Sequence, residues 1–172
     1  MNITYSQELV KAVLSGNAGA AEVEQPAELL EEIKFPDPGN NIVHMVEMAN
    51  KRKAGSAQVW ARGEEKNRAL LQMTSSHWNH LKLHVPESLG VRMDGILGRY
   101  ALAPARSVVM AHVIYFLING HWANEGYGWR CAEKWQDGSR VLVTVENGRL
   151  LIAKSSDGLT RIPTHGIAVT VD

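Results

Sequence analysis

Cysteine is almost missing from this sequence. One Cys, at position 131 of 172 residues, excludes an intramolecular disulfide and any zinc site built on several thiolates. Net charge is missing as well, because 18 Lys and Arg balance 18 Asp and Glu. The chain as a whole is therefore no polycation of the kind that coats nucleic acid without discrimination. There is no G-x-x-x-x-G-K-[ST], no G-x-S-x-G and no G-x-G-x-x-G. That removes the sequence basis for a phosphate-cradling loop or a nucleophile elbow, and no cofactor is expected. Gly90, Gly95 and Gly98 have the wrong spacing for a phosphate loop and read as turn glycines. Long hydrophobic runs are missing too. The longest, Ser107–Ile118 (SVVMAHVIYFLI), has a His inside it and falls short of the ~20 residues that span a bilayer. Met1–Leu14 contains Glu8 and a single basic residue, Lys11, with no signal-peptide pattern. The expectation is a cytoplasmic protein with no membrane partner.

What the chain does have is enough length for one domain with a real core. Its charge is unevenly spread. Residues 1–50 hold two bases (Lys11, Lys34) against eight acids, whereas residues 51–106 hold ten bases against four acids. From 107 onward six bases meet six acids. Either the acidic part docks on the basic part, or both are solvated faces, or the basic middle meets a polyanion.

The periodicity predicts helices first and strands last. Thr4-x-x-Gln7 resembles a capping box and Gly16 a stop, giving a helix over 5–15. Pro26 suits the first turn of a second helix carrying Leu29, Leu30 and Ile33, and Phe35-Pro36-Asp37-Pro38-Gly39 reads as a hinge. Asn40 or Asn41 caps a helix with Ile42, Met45, Val46 and Ala49 on one face, and Lys51, Arg52 and Lys53 fall in its last turn. A further helix is expected from 64 to 84, with Leu70, Met73, Thr74, His77, Trp78 and Leu81 as its buried stripe. Pro104 and Gly120 bracket the most apolar helix, 104–118. Beyond it, Asp137-Gly138, Asn147-Gly148 and Asp157-Gly158 supply hairpin turns at ten-residue spacing. The expected fold is α+β: N-terminal helices packed on a C-terminal antiparallel β-meander of about four strands. Its parts are residues 1–39, an acidic helical segment with a Pro/Gly hinge; 40–120, a helical core with the basic middle; and 121–172, the antiparallel sheet, forming one unit with 40–120.

Several side-chain groups suggest chemistry. His77, His80 and His84 would share one edge of a helix and are the candidate metal ligands. They lack the carboxylate that a zincin motif supplies. Ser107–Trp122 is similar to the helix ahead of the metal site in phage-type HNH endonucleases, but no Asp-His pair follows it, so the resemblance assigns no activity. Cys131 lies inside an expected strand, where a lone Cys is a small buried apolar residue. No catalytic residue is assigned. Six of the eleven aromatics fall within 115–135. Of these, Trp122 and Tyr127 in the loop 120–128 are the ones expected at the surface, where they would stack on a base or fill a partner's pocket. The segment 51–68 mixes cations with Trp60, which suits backbone contacts to nucleic acid through Lys51, Arg52, Lys53, Arg62, Lys66 and Arg68. Three readings follow. The first is a small binding protein that associates with nucleic acid through that segment. The second is an inhibitor or adaptor of the kind phages and mobile elements carry, binding a protein partner through Trp122 and Tyr127 or through Glu28, Glu31 and Glu32. The third is a metal-dependent enzyme.

Overall fold

The apolar run 107–118 does form a buried helix. It lies within Ala105–Asn119, where 13 of 15 residues are buried, so this helix touches protein on every side rather than along one stripe. Pro104 precedes it and Gly120 ends it in the left-handed conformation at φ 79°, as the Pro and Gly bracket predicted. Its surroundings are the rest of the fold. The computed structural model describes residues 1–16, 29–59, 70–72, 78–84, 93–155 and 165–171. In chain order the elements are β1 (Asn2–Thr4), α1 (Gln7–Leu14), β2 (Glu32–Pro36), α2 (Ile42–Arg52), β3 (Ala57–Val59), β4 (Trp78–His84), α3 (Met93–Arg99), α4 (Ala105–Asn119), β5 (Gly128–Lys134), β6 (Arg140–Glu146), β7 (Arg149–Ser155) and β8 (His165–Thr170).

The strands make one mixed sheet in the order β1-β2-β4-β8-β5-β6-β7-β3. This corrects the expected meander of four C-terminal strands under N-terminal helices. Three strands do form a meander, β5-β6-β7, through the predicted Asp-Gly and Asn-Gly turns. Asn147 at φ 53° and Gly148 at φ 72° have the paired positive angles of a type I′ turn. The fourth, β8, does not follow β7 in space. It lies on the far side of β5 and parallel to it, and its other edge pairs antiparallel with β4. Asp157-Gly158 lies outside the described residues.

The N-terminal half contributes strands where helices were expected. Glu32–Pro36 is a strand between β1 and β4, so neither a helix through Ile33 nor a hinge at Phe35-Pro36 is formed. Phe35 is fully buried. Asp37, one residue past the strand, is tied by its carboxylate to the Arg106 guanidinium in a two-pronged ion pair, with both side chains almost or wholly out of solvent. Asn79 donates to Asp37 (3.1 Å), Ser107 donates to Asn79 (2.8 Å), and Arg106 also donates to the Asn40 carbonyl (2.7 Å). The stretch 35–40 is thus pinned to the N-terminal end of α4. Burial pushes the Asp37 carboxyl up, but the hydrogen bonds from Arg106, the Gly39 amide and Asn79 outweigh it and hold the group below the usual carboxylate range. In the same way β4 replaces the last turns of the expected helix 64–84.

α1 and α2 were legible. α1 is capped by Ser6 rather than Thr4, through the Leu9 amide at 3.2 Å. α2 is capped by Asn41 through the His44 amide at 2.8 Å. Both helices lie on α4, which in turn lies on β4, β5 and β6. α3 covers the opposite face of the sheet, where Ile96 and Leu97 meet Ile167 and Val169 of β8. Gly95 and Gly98, expected in turns, are in this helix. No helix among the described residues is long and apolar enough to cross a membrane.

Candidate nucleic-acid interface

β2 and β4 alternate, and the alternation separates two chemistries. On one side Ile33, Phe35, Leu81 and Leu83 are buried in the main core. Because side chains of a strand point to opposite faces in turn, the intervening residues form the outer face. The pairing places Thr4 beside Lys34 and Lys34 beside His80, with Glu32 beside Lys82 and Pro36 beside Trp78. α3 covers the β8 part of this face, and in the β1-β2-β4 part Thr4, Lys34 and Trp78 are exposed.

That part is aromatic and basic. Trp78 is 56% exposed, and no other large apolar side chain among the described residues is exposed. Thr4, Lys34 and Trp78 line a shallow hollow of about 440 Å³. The acid on the face, Glu32, is hydrogen-bonded to Nε2 of His80. Lys34 and Lys82 form no ion pair among the described residues. At the border with α3, Tyr100 gathers two cations: the Lys82 ammonium lies 5.9 Å from its ring centre and the Arg99 guanidinium 5.7 Å. Cations over an aromatic face are held by the ring's quadrupole. An indole in solvent with cations around it offers a stacking surface and counter-charges for phosphate together.

No protein-family model matches this chain, nor does any curated protein or solved structure.

The residues singled out from sequence are scattered. Lys51 and Arg52 end α2 and Lys53 caps it, all three exposed. Lys51 and Arg52 line a separate hollow of about 330 Å³ with Leu14 and Ser15 of the α1 end and Leu117 of the α4 end. Helix C-termini are the negative ends of their dipoles, so these cations have a structural reason to be there. Arg62, Lys66 and Arg68 lie outside the described residues, as do Glu28 and His77. Glu31 accepts from the amino terminus at 3.0 Å and Glu32 is engaged by His80, so neither of these two acids docks on Lys51–Lys53.

Trp122, expected at the surface, is buried and stacked on Phe116 with ring centres 4.1 Å apart. Tyr127 is half-buried against Trp129. The loop 120–128 is held inward by Asn124, at φ 61°. Its side chain accepts from the Leu30 amide (2.7 Å) and donates to Nε2 of His112 (3.1 Å), while Nδ1–H of His112 donates to the Val108 carbonyl (2.8 Å). Burial lowers the pKa of His112 to about 4.

His80 and His84 are on β4, not on a helix. Four residues of strand separate them by about 13 Å, too far to share a metal ion, and no group of three metal-ligating side chains occurs among the described residues. Cys131 is fully buried and its thiol donates to the Trp129 carbonyl at 3.4 Å. Burial pushes that thiol far up, away from thiolate chemistry. The reading from sequence missed Trp78, Lys34 and Lys82 as surface groups. The signal was the alternation of His80-Leu81-Lys82-Leu83-His84, a period of two inside a stretch read at a period of 3.6.

Proposed function

We propose that the protein is a cytoplasmic nucleic-acid-binding protein whose interface is the outer face of β1, β2 and β4, not the end of α2. The observation that carries this reading is Trp78, solvent-exposed on a sheet face beside Lys34, with Lys82 four residues along the same strand. An exposed indole offers a π-face on which a base can stack. Lys34 and Lys82, which form no ion pair among the described residues, favour a polyanion. The Lys51–Lys53 cluster supports the same partner less well, because helix ends already account for Lys51 and Arg52.

Fluorescence anisotropy of labelled oligonucleotides at low salt tests the proposal. The expected result is binding that weakens steeply as salt rises and that falls in Lys34→Ala and Lys82→Ala. At the physiological end of the salt series, where the Debye length is about 8 Å, the triple change of Lys51, Arg52 and Lys53 to Ala is expected to leave affinity within about twofold, since a distant exposed charge then acts only through a screened field. Absence of binding to any DNA or RNA at low salt overturns the proposal. Loss of binding in the triple variant alone moves the interface to α2.

A further inference from the structure

We infer that the face takes nucleic acid as a single strand laid along β4, with an unpaired base on Trp78 and following phosphates on Lys82 and Arg99. This rests on the nucleic-acid reading above and adds to it the form of the ligand and its direction across the sheet.

Three features carry it. First, Trp78 lies in a hollow with Thr4 and Lys34, so its ring is met by a flat group arriving over the sheet. A base in a duplex has both faces occupied by its neighbours, whereas an unpaired base has a face free to stack. Second, no element among the described residues projects from this face as a groove reader would. α3, which shares the face, is packed against Ile167 and Val169, and a duplex is read by a helix or ribbon inserted into its major groove. Third, the two chemistries are separated along one strand. Trp78 and Lys82 are both on the outer face of β4, four residues or about 13 Å apart. Lys82 does not stand alone, because Tyr100 holds it and Arg99 on one ring. The aromatic end therefore stacks and the cationic end neutralises, with Lys34 and His80 between.

Stacking and phosphate contact respond differently to salt, which makes the arrangement testable. Oligo(dT) binding to the whole chain is measured by anisotropy over a salt series for the wild type, Trp78→Ala, Trp78→Phe and the double variant Lys82→Ala/Arg99→Ala. Trp78→Ala is expected to weaken binding by roughly 5- to 150-fold at an unchanged log–log salt slope, with Trp78→Phe retaining most of the affinity. The double variant is expected to shallow the slope by about 1.4, at roughly 0.7 per phosphate on a single strand. A duplex of matched length is expected to compete poorly and to be indifferent to Trp78→Ala. Circular dichroism and urea midpoints near wild type confirm that each variant is folded. Trp78 is exposed, so its replacement leaves no cavity. If oligo(dT) binds but Trp78→Ala is neutral, or if duplex competes equally, the single-strand inference falls while the nucleic-acid reading stands. If no nucleic acid binds, both fall. If polyglutamate displaces oligo(dT) as well as unlabelled oligo(dT) does, and Trp78→Ala is neutral, the face belongs to an acidic protein partner and the inference is overturned.

Discussion

His112 has a wholly buried side chain at the centre of the molecule, and its two ring nitrogens are both used, one toward Val108 and one toward Asn124. Only the neutral ring satisfies both partners, since Nδ1 must donate and Nε2 must accept. Burial lowers its pKa from 6.5 to about 4. The unfolded chain binds a proton as pH falls through 6.5, while the folded chain does not until about 4. Stability is therefore full above 6.5 and is lost progressively down to about 4, by about 3 kcal/mol from this residue. His84 and His165 are also lowered, mainly by burial, and act in the same direction. The urea midpoint is expected to fall between neutral pH and pH 4, and His112→Gln to flatten that fall while lowering stability at neutral pH. An equally steep pH dependence in the variant would remove His112 from the account. None of this was legible in the sequence, where a His inside an apolar run shows burial but not the asparagine that will meet it from position 124.

Among the elements, those that were legible carry their instructions locally. Pro104 and Gly120 mark the ends of α4, Asn41 marks the start of α2, and Asn147-Gly148 turns β6 into β7. β2 was misread because it is short and Leu29, Leu30 and Ile33 also suit a helical period, and β4 because the helical stripe expected through Leu70, Met73, His77 and Leu81 runs over the alternation at 80–84. What decides for a strand is a neighbour far away in the chain: β2 pairs with β1 and β4, and its end is anchored by Asp37 on Arg106. That anchor holds an ionic pair away from water, so breaking one side of it is costly. Asp37→Asn is expected to destabilise by about 3–5 kcal/mol, since it leaves the Arg106 charge facing a neutral amide. A double-mutant cycle with Arg106→Met, followed by urea unfolding, checks this. The double variant is expected to be less damaged than the sum of the two single changes. Additivity within about 0.5 kcal/mol would mean that the two residues act separately.

For the molecule as a whole, β8 joins the sheet's two halves by pairing with β4 on one edge and β5 on the other. Gly166 is the point of closest fit. A Cβ there would lie 1.9 Å from the His84 carbonyl oxygen and 2.8 Å from the Trp129 ring. Both are fixed, one being backbone and the other a fully buried indole. Gly166→Ala is therefore expected to cost about 3 kcal/mol or more, or to prevent folding. The check is the thermal midpoint beside that of Gly148→Ala, which meets nothing within 4 Å and is strained only by its positive φ. Near-wild-type stability for Gly166→Ala would mean that the β4–β8 joint has slack. Strand order was the least legible property of all. Turn dipeptides announce hairpins, but nothing local announces that a late strand will be inserted between β4 and β5 instead of being added beside β7.

That insertion also bears on how the chain is made. Synthesis delivers β4 and β5 well before β8, so each waits on the ribosome with an open edge, one strand short of its partner. An open strand edge presents a row of unpaired backbone groups and is a template for another chain. The β5-β6-β7 hairpins can close as soon as they emerge, since their contacts are local, but joining them to β1-β2-β4 waits for the segment at 165–170. Most contacts that define the sheet's centre span long stretches of sequence, which slows closure. The interval between delivery of β5 and capture of β8 is thus when this protein is most exposed to aggregation, and a holding chaperone would have its greatest effect on yield.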